Sequence, residues 1–164
     1  MKDKISSNEI SSDELDKNFK YEVAAQPGGE NIKKCFSCGT CTAGCPVSEV
    51  DESFNPRKII RMVLLGMKKE VLSSKVIWYC CSCYTCYAQC PQNVKFTDVM
   101  AALRHLAIEQ GYVSKGFLDK VYNIDNLAQK IRLDIIKCLT KEQSPNKIKA
   151  DIIAKVEDFI KTKE

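Results

Sequence analysis

Glycine and proline are scarce in this chain. Seven of the one and five of the other make twelve in 164 residues, about 7% where the two together average about 12%. A sequence so short of turn-formers does not build an all-β fold. Long apolar runs are missing as well. The most apolar stretch, Ile59 to Met67, is interrupted by Arg61 and lies between Arg57-Lys58 and Lys68-Lys69, well below the roughly 18–20 residues of a membrane span. Residues 1–30 carry Lys2, Lys4, Glu9, Asp13, Glu14, Asp16, Lys17 and Lys20 and lack the apolar core of a secretory signal. The expectation is a cytoplasmic protein without a membrane span. The chain also offers no Ser-His-Asp set and no glycine-rich phosphate loop, and its length suits one compact unit rather than a catalytic domain beside a cofactor domain.

Cysteine, in contrast, is abundant. Ten of 164 residues is about 6%, below the roughly 8–10% of small disulfide scaffolds yet far more than core packing uses. Disulfides do not persist in a reducing compartment, so such a chain holds metal or performs redox chemistry. Eight of the ten form a repeat: Cys35-x2-Cys38-x2-Cys41-x3-Cys45-Pro46 recurs 45 residues later as Cys80-x2-Cys83-x2-Cys86-x3-Cys90-Pro91. Cysteines three apart on a tightly wound loop set three thiolates around one inorganic cube, and in runs of this spacing the fourth ligates the other cluster. The expected ligands are Cys35, Cys38, Cys41 and Cys90 for a first [4Fe–4S] cluster, and Cys80, Cys83, Cys86 and Cys45 for a second. Zinc sites pair two C-x2-C knuckles across a long loop instead. The formal charge of +4 counts protonated thiols. Two oxidised cubes at about −2 each with their thiolates bring it to about zero, which removes electrostatic support for a nucleic-acid partner.

The remaining pattern is helical. Asn55 as N-cap and Pro56 at the first helical position open a helix with Ile59, Ile60, Val63, Leu64 and Met67 on one face, running to about Lys69. Thr97 as N-cap, with Phe96 before it and Asp98 after it, opens another, whose face is Val99, Ala102, Leu103, Leu106 and Gln110 and whose stop is Gly111. Leu127, Ile131, Ile135 and Leu139 repeat at helical spacing, as do Ile148, Ile152, Val156 and Ile160 after Ser144-Pro145. Weaker signals precede the cysteines: a capping box at Ser11 and Glu14, and a strand-like alternation of Phe19, Tyr21 and Val23. The expected class is all-α, with an adaptable or partner-docking arm over 1–30, a two-cluster domain over 31–112 and a helical extension over 113–164.

Small residues separate the first set of ligands (Ser37, Gly39, Thr40, Thr42, Ala43, Gly44) and let backbone N–H groups approach sulfur. Trp78, Tyr79, Tyr84 and Tyr87 flank the second set, either excluding water from a cluster or simply packing. Cys81 and Cys138 have no motif and are expected to be buried and inert. His105, on the edge of an apolar face, is expected to be solvated or to touch a partner. Lys33, Lys34, Arg57, Lys58, Arg61, Lys75 and Lys95 form a solvated basic face near the clusters, with docking to an acidic partner as its secondary use.

Residues 31–48 (NIKKCFSCGTCTAGCPVS), the helix start at Asn55-Pro56-Arg57 through Arg61-Met62, and residues 77–96 (IWYCCSCYTCYAQCPQNVKF) resemble HdrC, the small iron–sulfur subunit of the soluble heterodisulfide reductases. The likeness covers about half the chain, from Lys34 to around Gly111. It implies an α-helical ferredoxin with two [4Fe–4S] clusters on the eight matching cysteines and no substrate site. It also implies electron relay from an HdrA-like subunit, which holds flavin and iron–sulfur groups, to an HdrB-like terminal reductase, in a complex that can bifurcate electrons. The same helical module occurs in iron–sulfur subunits of succinate-, glycerol-3-phosphate- and glycolate-oxidising systems, and a non-redox, metal-stapled interaction module is the alternative from another class. Against the succinate type, no third cluster motif of x4 spacing is present.

Overall fold

The computed structural model describes residues 12–140 and 144–161. Among them there is helix and no strand, so the class is all-α. Two compact units emerge, Met1–Ser114 and Lys115–Glu164.

The first unit holds seven short helices: α1 (Phe19–Ala25), α2 (Thr40–Ala43), α3 (Pro46–Val50), α4 (Pro56–Leu65), α5 (Lys68–Leu72), α6 (Thr85–Ala88) and α7 (Phe96–Glu109). Helix α4 starts as its sequence dictates. The Asn55 side chain accepts from the Lys58 N–H at 2.9 Å, and Pro56 occupies the first turn, where its missing N–H costs nothing. It stops at Leu65, short of the expected Lys69. Gly66 turns left-handed (φ 85°), and the N–H groups of Gly66 and Met67 close back on Val63 and Met62. A side chain at Gly66 would strike the Asp16 backbone at 2.4 Å. The chain then restarts as α5.

Two further expectations are corrected. Phe19, Tyr21 and Val23 lie in helix α1, not a strand. Phe19 and Val23 fit i, i+4 as well as period two, and here both are fully buried while Tyr21 is exposed. Helix α1 packs on α4 and α7, so residues 19–25 belong to the packed unit and are no adaptable arm. Ser11, half of the expected capping box, lies outside the described residues. Likewise α7 begins one residue early. Its N-cap is Lys95 in a left-handed conformation, with no side-chain cap, because the Thr97 hydroxyl is turned to Cys86 Sγ at 3.4 Å.

The core gathers Phe19, Val23, Ile32, Val63, Leu72 and Leu103, all without solvent contact. Helix α7 is the central strut, touching α1, α5 and α6. Its Val99, Ala102, Leu103 and Leu106 are buried as expected and His105 is exposed, and Gly111 (φ 77°) ends it. Lys68 bridges both carboxylate oxygens of Glu22 at 2.7 and 2.9 Å and lies 3.6 Å from Asp16, tying α5 to α1.

The second unit is a hairpin of α8 (Phe117–Leu139) and α9 (Pro145–Lys161), where the helical spacing of Leu127–Leu139 and Ile148–Ile160 placed helices. Lys155 pairs with Asp134 across it. Ile135, Cys138, Ile148 and Ile152 line an apolar groove between the two helices.

Candidate metal centre

The two cysteine runs fold alike because their backbones turn at the same places. Ser37 and Ser82 are left-handed at φ 62° and 51°, and Gly39 and Tyr84 at φ 90° and 61°. Each pair is related by the same offset of 45 residues as the cysteines. Left-handed steps between ligands let successive side chains face one point, as a cube demands. Glycine takes that conformation freely, whereas a residue like Tyr84 gives up about 1–2 kcal/mol. Its ring packs edge-on against Tyr87, centroids 5.9 Å apart.

Helices α2 and α6, each one turn inside a cysteine run, pack against each other. Gly44 makes the approach possible, since a Cβ there would fall 2.3 Å from Gln89 Oε1. Asn31 Nδ2 donates to the Asn93 carbonyl at 3.0 Å, joining the start of the first run to the end of the second. Two cavities result. One, about 410 Å³ with its open mouth included, has Cys35, Cys38 and Cys41 of the first run and Cys90 of the second on its wall. The other, about 280 Å³, has Cys80, Cys83 and Cys86 with Cys45 from the first run. Cys86 reaches both walls. Thus all eight motif cysteines meet in two groups, and each group has one member from the opposite run.

The surroundings of the sulfurs favour thiolates at some positions and neutral thiols at others. The Ser37 N–H donates to Cys35 Sγ and the Val94 N–H to Cys90 Sγ, both at 3.4 Å. Thr40 Oγ1 lies 3.3 Å from Cys38 Sγ, and Thr85 Oγ1 lies 3.5 Å from Cys83 Sγ. The Thr40 hydroxyl and N–H hold Cys38 below the ordinary thiol range. At Cys83 burial acts upward, but hydrogen bonds from Thr85 and Cys81 outweigh it and the thiol is lowered. Burial pushes Cys41 up to about 11, and it raises Cys80 and Cys86. Cys41 as a thiolate would also be repelled by Cys35, Cys86 and Cys38. Thiolates crowded and desolvated in this way require positive charge at their centre. Among the described residues no three ligands converge as tightly as a single ion requires. Sulfurs spread around a cavity, with N–H and O–H donors behind them, fit a cube instead.

Arg104 is a site residue that the sequence reading missed. It is a buried cation in the apolar stretch of α7, donating from Nε to the Ile77 carbonyl (2.9 Å) and from Nη2 to the Cys80 carbonyl (2.7 Å), 5.7 Å from the centre of the Trp78 ring. A charge flanked by Leu103 and Leu106 was the available signal. The Thr40/Thr85 and Ser37/Ser82 repeats were another. The aromatics divide: Trp78 is buried, whereas Tyr79 and Tyr84 are 43% and 54% exposed and exclude little water. Cys81 is exposed, contrary to the expectation of a buried thiol, and Cys138 is half-buried in the second unit. Of the basic face, Arg57 reaches the first cavity, beside Gly39.

Architecture and donors together define a two-cluster α-helical ferredoxin domain, and comparison with known proteins agrees. Residues 31–94 match the family model described as a 4Fe-4S dicluster domain. The chain is 43% identical over 109 residues to the iron-sulfur C 2 subunit of the CoB–CoM heterodisulfide reductase of Methanocaldococcus jannaschii, covering 62% of this chain and 58% of the relative. It is 40% identical over 113 residues to the C2 subunit of the H2/formate:CoB-CoM heterodisulfide,ferredoxin reductase of Methanococcus maripaludis, with 65% and 60% covered. A heterodisulfide reductase HdrC-like protein of Archaeoglobus profundus is 33% identical over 97 residues, with 59% and 51% covered. The chain is an HdrC-like iron–sulfur protein of the heterodisulfide reductase type, carrying two [4Fe–4S] clusters. It spans at most about three fifths of the length of these relatives. Among the described residues no helix is long and apolar enough to cross a membrane.

Proposed function

We propose that this chain is a cytoplasmic electron-relay subunit of a heterodisulfide reductase-like complex. It passes electrons between an HdrA-like partner, which bears flavin and iron–sulfur groups, and an HdrB-like terminal reductase, in an assembly of the kind that bifurcates electrons. When bound, the clusters supply reversible one-electron changes at iron. The chain's own residues place and tune them: Cys35, Cys38, Cys41 and Cys90 hold the first, and Cys80, Cys83, Cys86 and Cys45 the second. The Thr40 and Thr85 hydroxyls and the Ser37 and Val94 N–H groups soften the negative charge on sulfur.

The observation that supports this reading most is the exchange of a cysteine between the two runs, which seats two cavities side by side with Cys86 on both walls. Adjacent redox centres serve conduction. Among the described residues no cavity offers a substrate pocket with a nucleophile and base. The test is analysis of protein purified without oxygen: about eight iron and eight acid-labile sulfide per chain, the content of two cubes. Stoichiometric zinc without sulfide overturns the reading.

A further inference from the structure

The second cavity holds one sulfur more than a cube uses. Besides Cys45, Cys80, Cys83 and Cys86, its wall includes Cys81. Cys81 and Cys83 flank Ser82, whose left-handed backbone (φ 51°) turns the chain sharply between them. Their thiols are hydrogen-bonded, with Cys81 the donor and Cys83 the acceptor. The two are also the exposed cysteines of this cavity, whereas Cys80 and Cys86 are buried. At the equivalent place in the first run stands Phe36, so the additional sulfur belongs to the second run alone.

We propose that Cys81 is a fifth sulfur of the second cluster's site, donating its S–H to the Cys83 sulfur and exchangeable with Cys83 as the iron ligand. The inference rests on the two-cluster reading above. With Cys83 in place, the donated hydrogen bond stabilises negative charge on the ligand sulfur and so favours the reduced cluster. With Cys83 removed, Cys81 releases its proton to water and its thiolate takes the vacant iron position. No oxidant or reductant is consumed, because one thiolate replaces another. Mobility at the exposed edge of the site permits the exchange, and the packed surroundings of Cys80 and Cys86 do not.

The experiment compares anaerobically purified variants by iron and sulfide content and by redox titration. Alanine is used because it leaves no atom to bind iron. Wild type at about eight iron sustains the two-cluster reading, and a shortfall there sinks that reading separately. Cys83→Ala is expected to keep about eight, while Cys80→Ala and the double variant Cys81→Ala/Cys83→Ala fall to about four or fewer. Cys81→Ala alone is expected to keep both clusters, to lower the midpoint potential of the second and to leave the first unchanged. Cys81→Ser, which retains a donor, should restore the potential. Cys83→Ala protein that keeps the first cluster and loses the second overturns the proposal, as does a Cys81→Ala protein whose second centre titrates like wild type. Should Cys83→Ala hold no iron at all, the Cys81→Ala titration decides.

Discussion

Arg104 holds Cys80 by its backbone: the guanidinium Nη2 donates to the Cys80 carbonyl at 2.7 Å from the middle of helix α7. A buried cation is costly without partners, and here two carbonyls and the face of Trp78 receive it. The contact fixes where the second cysteine run begins and leaves a positive charge close to its thiolates.

Replacement of Arg104 by Met should therefore destabilise the protein by about 2–4 kcal/mol, through two buried carbonyls left without donors. The second cluster should be lost before the first during exposure to chelator or oxygen, and its potential should fall with the cation gone. Thermal unfolding and spectra of the surviving cluster check this. Equal loss of both clusters would show that Arg104 acts on the fold alone.

Asn55 caps α4 and also receives the Thr42 hydroxyl at 3.2 Å, while Thr42 Oγ1 accepts the Arg57 N–H at 3.0 Å. This small network joins the first cysteine run to the helix that follows it. Asn55→Ala should cost about 1 kcal/mol from the lost cap and loosen the first cluster preferentially. Asn55→Asp should recover most of the stability, measured by denaturant titration.

Cys45→Ser should remove the cluster served by Cys80, Cys83 and Cys86, and Cys90→Ser the one served by Cys35, Cys38 and Cys41. The readout is which paramagnetic signal vanishes on reduction. If each substitution instead abolishes the cluster of its own run, the ligand pairing is wrong.

The Lys68 bridge to Glu22 and Asp16 gives a pH signature. Burial disfavours the ammonium, but the two carboxylates outweigh it and raise the Lys68 pKa above its ordinary value of 10.5. A raised folded-state pKa means that the bridge contributes fully below 10.5 and is lost as the pH climbs through the higher folded value. With the side chain about a quarter exposed (23%), its contribution is about 0.5–1 kcal/mol. Lys68→Met should lower stability by that amount near neutrality, and the gap to wild type should close above about pH 10.5. A gap that widens with alkali would contradict the assignment.

Much of this molecule was legible in its sequence for local reasons. Asn55-Pro56 carries its own helix start, Ile148 to Ile160 carry their own period, and the cysteine offset is a covalent fact. What escaped depended on neighbours distant in the chain. Gly66 reads as an ordinary residue within an apolar helix until the Asp16 backbone is seen beside it. Phe19 and Val23 satisfy two periodicities at once, and only packing on α4 and α7 decides between them. Thr97 has the chemistry of a cap, but its hydroxyl faces Cys86 across the fold. Arg104 is silent in the sequence because a charge in a helix usually points to water. Cys81 belongs in the interior on the general habit of cysteine, whereas the turn at Ser82 brings it to the mouth of the second cavity.

The central claim, two adjacent clusters that change oxidation state, is tested most directly by paramagnetic resonance on anaerobically purified protein titrated with dithionite. Two one-electron signals that broaden each other as both centres fill are the expected result. A spectrum silent at every accessible potential, or a single isolated centre, would contradict it.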